Sequence, residues 1–185
     1  MGQLLRGFAA LDADKFDLPR LWIDPRTVAR SGERWLSGLE PYLTAADVKA
    51  TRDIIDRSPA LLAGRRAVVC HGDFGPQNVL VQKGGVSGLL DFEDARIGDS
   101  LLDVAWWAWL VRAHTPAAFT RSWSEFLDES GIDTTQESFD DRLLALIVLR
   151  LLETADAFLH SAPAKYPSWA ERLARTLRWR GETLA

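Results

Sequence analysis

Four polar side chains near the middle of the chain are of types that position phosphates and divalent cations. His71 is followed two residues later by Asp73 and seven residues later by Asn78, and Asp91 comes further along the chain. Carboxylate and amide oxygens are the hard ligands that Mg²⁺ prefers. Phosphoryl transfer has a loose transition state, so a protein catalyses it mainly by placing the reactants and neutralising charge. These residues therefore suit metal-assisted phosphoryl transfer.

Each carboxylate and amide can be given a part in that chemistry. We expect Asp73 to accept a hydrogen bond from the acceptor hydroxyl and to orient it. A carboxylate is a weak base toward an alcohol, but the proton leaves late in a loose transition state. We expect Asn78 and Asp91 to hold the metal that bridges the nucleotide phosphates. Glu93 is either a further metal ligand or an ordinary loop carboxylate, and the sequence leaves both open.

Three segments occur in the order and spacing of a known family. Residues 71–78 read HGDFGPQN, residues 91–95 read DFEDA, and residues 98–105 read GDSLLDVA. Together they resemble the signature of the aminoglycoside phosphotransferase and choline-kinase-like enzymes, and the resemblance covers most of the chain as a protein-kinase-like C-terminal lobe. It implies ATP or GTP as co-substrate and Mg²⁺ as cofactor. The implied reaction is γ-phosphoryl transfer to a hydroxyl of a small molecule, for example an aminoglycoside-like compound or an amino alcohol.

The same residues also have structural interpretations. His71 is expected to support the catalytic loop through a backbone hydrogen bond. Asp103 lies inside an apolar helix, so its carboxylate is expected to bond the backbone of that loop. Asp99 supports the site or is simply a helix N-cap. Asp and Asn also favour turns, so the proposed catalytic and metal-binding residues could be turn formers alone.

Two departures from protein kinases favour a small acceptor over a protein. Gly72 stands where protein kinases carry an arginine that can pair with an activation-loop phosphate. Only seven residues separate Asp91 from Asp99, which is too few for a long activation loop. A protein substrate therefore has no obvious docking segment.

Apolar residues at helical spacing lie on both sides of this region. Asp24 before Pro25 and Thr44 with Asp47 mark two helix starts, and Pro59 is expected to end the second of these helices. The helix rich in tryptophan, residues 101–114, is almost wholly apolar and is expected to be central. The predicted helices span about residues 2–11, 25–38, 44–59, 101–114, 116–130, 138–160 and 168–183.

A small β insert carries the polar motifs. Predicted strands span residues 67–70, 79–81 and 88–92, and the last two form a hairpin about Lys83, Gly84 and Gly85. The fold class is thus α+β and mainly α. We expect one kinase-like C-terminal lobe over residues 1–185: a helical segment to residue 66, the catalytic and metal loops over 67–98, and helices over 99–185.

Composition excludes several other classes of protein. The chain has 185 residues, 47% of them hydrophobic, and a formal net charge of -4. This charge argues against a nucleic-acid partner, and the scattered basic residues argue against a membrane partner. The single Cys70 cannot form an internal disulfide, and no signal-peptide pattern is present, so we expect a cytoplasmic protein. The eight tryptophans are interpreted as core packing rather than an aromatic ligand platform.

The parts that clamp a nucleotide in kinases have no counterpart upstream of His71. Lys15 and Lys49 are the only lysines there, and the five upstream glycines form no glycine-rich loop. We therefore expect the N-lobe to be absent. Three hypotheses follow. The chain is a phosphotransferase C-lobe that is inactive alone or active only with a separately encoded N-lobe, or it is a complete but minimal phosphotransferase, or it is a non-catalytic binding or scaffolding module, which a homodimer would favour.

The identity of the acceptor stays open at this stage. A cationic amine such as an aminoglycoside would suit acidic residues in the C-terminal part of the chain, although acidic surfaces are common. Choline, homoserine, a macrolide or a sugar are alternatives. The acidic residues considered are Glu125, Asp128, Glu129, Asp140 and Asp141.

Overall fold

The computed structural model describes the backbone of residues 1–179 and their side chains apart from 159–161 and 163. These residues form seven α-helices and four strands, and the predicted α+β, mainly α class is confirmed. The helices are α1 Gly2–Ala9, α2 Pro25–Leu39, α3 Ala45–Leu61, α4 Leu102–His114, α5 Pro116–Ser130, α6 Phe139–Ser161 and α7 Tyr166–Leu177. The strands are β1 Ala67–Cys70, β2 Val79–Gln82, β3 Gly85–Leu89 and β4 Arg96–Asp99.

The chain divides into two compact units. The first unit contains residues 1–23 and 64–137, and the second unit contains residues 24–63 together with the chain from residue 138. All four strands and all the residues that the sequence analysis proposed for the site belong to the first unit. The regular elements described in the second unit are all helices.

Two small antiparallel sheets frame the polar motifs in the first unit. β1 pairs with β4, with Ala67 opposite Asp99 and Cys70 opposite Arg96. β2 pairs with β3 as the predicted hairpin. Lys83 and Gly84 have φ of 53° and 80°, the pair of positive values that a tight two-residue hairpin turn requires.

The strand prediction was wrong for two strands. The third predicted strand begins at Gly85 rather than residue 88, so Gly85 lies in the strand and not in the turn. It ends at Leu89 rather than residue 92, because Asp91 adopts a left-handed conformation with φ of 63°, which ends extended structure. β4 was not predicted at all. It is only four residues long and carries a buried charged residue at each end, Arg96 and Asp99, so its pairing with β1 rather than its own pattern makes it a strand.

Helix α4 is the buried helix of the first unit. Trp106 stacks on Trp109 with ring centroids 4.9 Å apart, and Trp107 stacks on Phe126 of α5 at 4.0 Å. Burial of such large rings dominates the stability of a small core. Gly131 follows the last residue of α5 with φ of 71°, the left-handed conformation that glycine commonly supplies at a helix C-terminus.

The second unit packs three helices, α2, α3 and α7, around α6. α2 lies against α3 and α6, and α6 also contacts α3 and α7. Gly32 permits the close approach of α2, because a Cβ there would lie 2.9 Å from Leu149 Cδ2 on α6. Leu143, Leu146 and Ile147 of α6 are completely buried. In the described part of the chain, no helix combines the length and hydropathy that a membrane crossing needs.

The predicted starts of α2 and α3 are confirmed, but the predicted end of α3 is wrong. Asp24 accepts a hydrogen bond from the Arg26 backbone N–H, and Thr44 accepts one from the Asp47 backbone N–H. Pro59 does not end α3, which continues to Leu61. Proline lacks the N–H that would bond the carbonyl four residues earlier. The Ser58 hydroxyl donates to that Ile55 carbonyl at 2.8 Å, so the acceptor is still satisfied.

The last helix begins earlier than predicted. α7 starts at Tyr166 rather than residue 168. Pro167 occupies one of its first positions, where a missing N–H costs nothing. The part of the predicted helix beyond residue 179 lies outside the described residues.

Candidate active site

The loop that follows β1, residues 71–78, is here called the catalytic loop. Its second residue, Gly72, has φ of 84°, and a Cβ at this position would lie 2.0 Å from the Asp94 backbone oxygen. Both facts require glycine, since no L side chain fits this conformation and space. The difference from the arginine of protein kinases therefore has a local steric cause in this chain.

A buried carboxylate holds the beginning of the catalytic loop. Asp103 lies in the first turn of α4 and is 3% exposed. Its Oδ2 accepts from the His71 backbone N–H at 2.7 Å, and its Oδ1 accepts from the Gly72 backbone N–H at 2.9 Å. Burial raises the pKa of the Asp103 carboxyl, while these two donors act in the opposite direction. The loop backbone is thus fixed to α4.

His71 joins the catalytic loop to the segment after β3. Its Nε2 lies 2.9 Å from the Leu90 backbone oxygen, and its Nδ1 lies 3.3 Å from the Asp73 backbone nitrogen. Because Nδ1 accepts from that N–H, the bonding pattern places the proton on Nε2, where it is donated to Leu90. The ring also packs against Phe92 with centroids 4.7 Å apart. His71 is 1% exposed and makes structural contacts on both ring nitrogens.

The Asp73 carboxylate accepts a hydrogen bond at each oxygen. The indole Nε1 of Trp106 donates to Oδ1 at 2.6 Å, and the amide Nδ2 of Asn78 donates to Oδ2 at 2.9 Å. Bonds to a charged acceptor are about twice as strong as neutral ones. Asp73 is half-buried, so its carboxylate is both held and accessible.

The side-chain amide of Asn78 uses its nitrogen for hydrogen bonds within the loop, while its oxygen stays available. Nδ2 donates to both the backbone oxygen and Oδ2 of Asp73, each at 2.9 Å. An amide has one nitrogen and one oxygen, so this bonding assigns the orientation and leaves Oδ1 for another contact. The Asn78 backbone oxygen accepts from the Leu90 N–H at 2.8 Å, which brings the segment containing Asp91 beside the catalytic loop.

Asp91 directly follows a residue that is bonded to the catalytic loop. The backbone of this residue, Leu90, bonds both His71 and Asn78. Asp91 itself is exposed, and within the described residues its carboxylate has no hydrogen-bond or ion-pair partner. Its neighbour Glu93 is also exposed, with no contact that decides between its two interpretations. The described residues contain no group of three or more His, Cys, Asp or Glu that could hold a metal by itself.

The sequence of this chain matches a known protein family. The model of the phosphotransferase enzyme family matches residues 1–137, which include the whole catalytic loop, Asp91 and Asp103. The chain belongs to the phosphotransferase enzyme family. No curated protein matches it.

Solved phosphotransferases have the same fold as this one. The GDP complex of aminoglycoside 2'-phosphotransferase-IIIa has a TM-score of 0.70 and 14% identity, covering 96% of this chain and 62% of that protein. A ternary complex of aminoglycoside phosphotransferase APH(4)-Ia with ADP and hygromycin B has a TM-score of 0.67 and 18% identity, covering 97% and 63%. Macrolide 2'-phosphotransferase MphH from Brachybacterium faecium has a TM-score of 0.60 and 17% identity, covering 98% and 59%. This phosphotransferase chain therefore spans less than two thirds of each of these proteins.

Two contacts of the candidate site were not anticipated from the sequence. One is the bond from Trp106 to Asp73, since the tryptophans had been interpreted as core alone. The other involves Arg96, which is buried beside Gly72 and donates from Nε to the Asp94 backbone oxygen at 2.8 Å. Trp106 lies three residues after Asp103, on the same face of α4, and this spacing was a signal that could have identified Trp106.

Asp99 does not occupy the N-cap of α4 that was considered for it. Leu101 is the N-cap, and the helix begins at Leu102. The buried Asp99 carboxylate accepts from the Leu101 backbone N–H at 2.8 Å. Asp99 therefore orders the turn between β4 and α4 from a position two residues before the N-cap.

Proposed function

We propose that this phosphotransferase transfers the γ-phosphoryl group of ATP or GTP to a hydroxyl group of a small molecule. Family membership supports the reaction class. The observation that carries the proposal is the bonding of Asp73. A half-buried carboxylate is oriented by donors at both oxygens, while Asn78 and Asp91 on the adjoining segments keep oxygen atoms available for a ligand.

The proposed reaction balances without a further reactant. The acceptor oxygen forms a bond to the γ-phosphorus, and the bond from that phosphorus to the oxygen bridging to the β-phosphate breaks. The products are a phosphate monoester and a nucleoside diphosphate. Asp73 accepts the hydroxyl proton late in the reaction and releases it to solvent, so its main contribution is to orient the hydroxyl.

The residues near Asp73 fit a Mg²⁺ ion that arrives with the nucleotide. The amide oxygen of Asn78 and the carboxylate of Asp91 would hold it, with Glu93 as a candidate further ligand. A bound Mg²⁺ would neutralise phosphate charge. Two protein oxygens do not form a complete cage, but Mg²⁺ is commonly bound by one or two carboxylates plus substrate phosphates and water. The left-over oxygen of Asn78 suits this arrangement.

We further propose that residues 1–185 act as one kinase-like C-terminal lobe that takes its nucleotide clamp from chain outside this sequence. The described residues upstream of β1 are helical and offer no strand lysine or glycine-rich loop. Apolar side chains on the β2–β3 hairpin are exposed, with Leu80 at 48%, Val81 at 66% and Val86 at 44%. Such a patch favours a covering partner. That partner is an N-lobe or, in the non-catalytic alternative, a second copy of the chain.

We propose a small hydroxyl compound as the acceptor without restricting it to aminoglycosides. Two of the acidic residues considered for a cationic acceptor are engaged within the protein. Glu129 accepts a hydrogen bond from Gln3, and Asp141 forms an ion pair with Arg57. These two residues therefore give no support to a cationic amine, and macrolides or other hydroxyl compounds stay in the acceptor panel.

Thermal unfolding with Mg–ATP or Mg–GTP tests the proposed nucleotide site. A nucleotide at about one hundred times its Kd should stabilise the chain by roughly 2.7 kcal/mol. Asp91→Asn should lose this stabilisation and keep the fold, because asparagine tolerates the left-handed conformation at position 91. Glu93→Gln is measured beside it to test the candidate further ligand, and Asp56→Asn, which neutralises an exposed carboxylate of the second unit, is the control.

The result separates the alternatives. A nucleotide shift of equal size in Asp91→Asn and wild type would contradict the metal-ligand assignment. A loss in Glu93→Gln as well would make Glu93 a third ligand. No shift in wild type, together with a dimer in sedimentation equilibrium, would favour the scaffolding alternative. A positive shift should be followed by nucleoside diphosphate release with the acceptor panel.

A further inference from the structure

The donor at Asp73 Oδ1 comes from outside the catalytic loop. Trp106 lies on α4, and its indole Nε1 donates to this oxygen over 2.6 Å. The side chain is only 5% exposed, so the bond lies largely away from water. A charge-assisted hydrogen bond in such surroundings is stronger and more directional than one at the surface.

Two donors on different oxygens restrict the carboxylate more than one donor can. With Asn78 alone at Oδ2, the Asp73 carboxylate could still turn about its Cβ–Cγ bond. The second donor, at Oδ1, fixes the plane of the group. Asn78 is also a proposed metal ligand within the same loop, so its bond to Asp73 can change when its oxygen is engaged. Trp106 belongs to a separate helix and is independent of that change.

Trp106 is itself rigidly held. It stacks on Trp109 with ring centroids 4.9 Å apart and planes 19° from parallel. It lies three residues after Asp103, so both side chains project from one face of α4. Asp103 bonds the backbone N–H groups of His71 and Gly72 from this face. One helix face therefore fixes both the backbone of the catalytic loop and the side chain of Asp73.

We infer that Trp106 is a positioning residue that orients the Asp73 carboxylate toward the acceptor hydroxyl. The consequence for reaction rate rests on the proposed function, whereas the orientation of Asp73 does not. The chain provides a matched control in the next residue. Trp107 is equally buried, but among the described residues its indole Nε1 has no hydrogen-bond partner.

The first test is the indole region of the ¹⁵N–¹H spectrum of the full chain. The Trp106 and Trp107 resonances are assigned by their loss in Trp106→Phe and Trp107→Phe. In Asp73→Asn the Trp106 resonance should move and the Trp107 resonance should stay. An unmoved Trp106 resonance, or an equal movement of both, would overturn the inference. If Trp106→Phe does not fold, the Trp106 resonance is assigned from its nuclear Overhauser contacts with Trp109, and wild type and Asp73→Asn still decide the inference.

The second test is the rate of phosphoryl transfer. Trp106→Phe should lower kcat by roughly tenfold to a hundredfold and leave the KM for nucleotide unchanged, because a misplaced group costs rate rather than binding. Trp107→Phe should change neither. A change in KM alone, or equal losses in both variants, would make Trp106 a packing residue. If wild type shows no transfer on its own, the reaction requires the nucleotide clamp that we place outside this sequence, and the spectrum alone decides the inference.

Discussion

The buried side chains that hold the catalytic loop form hydrogen bonds over longer sequence distances than three buried hydroxyls of the second unit. In the second unit, Thr51, Ser58 and Thr176 are buried, and each hydroxyl donates to a carbonyl of its own helix three or four residues earlier. In the first unit, Asp103 and Trp106 bond groups that lie 31 to 33 residues away in sequence. Local bonds of the first kind satisfy a buried atom. Long-range bonds of the second kind also position distant segments.

This difference predicts how much each kind of buried polar group contributes to stability. A hydroxyl that bonds its own helix can be replaced by an apolar group of the same shape at little cost. A carboxylate that bonds two distant backbone N–H groups cannot, because its removal leaves both donors buried without a partner. We therefore expect substitutions in the first unit to have larger effects than matched substitutions in the second unit.

The largest effect is expected at the glycine of the catalytic loop. Gly72→Ala should lower the free energy of unfolding by about 3 kcal/mol or more, because the new Cβ meets the Asp94 backbone and the residue has a positive φ. Urea denaturation followed by circular dichroism measures this.

The matched glycine in the second unit is Gly32. Its new Cβ would meet the end of the Leu149 side chain, and alanine favours a helix more than glycine does. Gly32→Ala should therefore stay within about 1 kcal/mol of wild type. Equal losses at Gly72 and Gly32 would contradict the proposed difference between the units.

A smaller effect is expected from the buried carboxylate. Asp103→Ala should destabilise the protein by about 2 to 3 kcal/mol, because the His71 and Gly72 N–H groups lose their acceptor. Thr51→Val is the counterpart in the second unit and should cost less than about 1 kcal/mol. Urea denaturation measures the free energy of unfolding of both variants. A larger loss of stability in Thr51→Val than in Asp103→Ala would contradict the proposed difference between the units.

The smallest effect is a dependence on pH. Burial raises the pKa of Asp103 above the ordinary carboxyl value near 3.8, so the folded state holds this proton more tightly than the unfolded chain. The contribution of the protonated group is complete below that value and is lost as pH rises through the folded pKa.

This dependence can be isolated with Asp103→Asn, which cannot ionise. The stability of wild type relative to Asp103→Asn should fall as pH increases from about 3, with a slope of at most about 1.4 kcal/mol per pH unit. Urea denaturation at several pH values measures the slope. A relative stability that rises with pH would mean that the two backbone donors outweigh burial.

Local signals in the sequence predicted much of the fold. Asp24, Thr44 and Gly131 act at helix ends through contacts within a few residues, so they could be recognised without the rest of the molecule. Family resemblance added the order of the catalytic and metal segments. The assignments of Asp73, Asn78 and Asp91 to catalysis and metal binding stay predictions.

The features that escaped prediction depend on distant parts of the chain. β4 is a strand because it pairs with β1, and Arg96 is buried because the catalytic loop covers it. Trp106 and Trp107 are neighbouring residues of one type, yet only the placement of Asp73 makes one of them a donor to the site. No local pattern carries that information.

The division of the chain has a consequence for how the protein is made. Each unit consists of two separate stretches, and the chain passes from one unit to the other after residues 23, 63 and 137. During synthesis, the first unit cannot be completed until α5 has left the ribosome, although α2 and α3 of the other unit emerge before β1. Contacts between residues so far apart in sequence slow folding. Shortening the chain at any of these three points would divide a unit rather than release one, so single substitutions are the appropriate means of dissecting it.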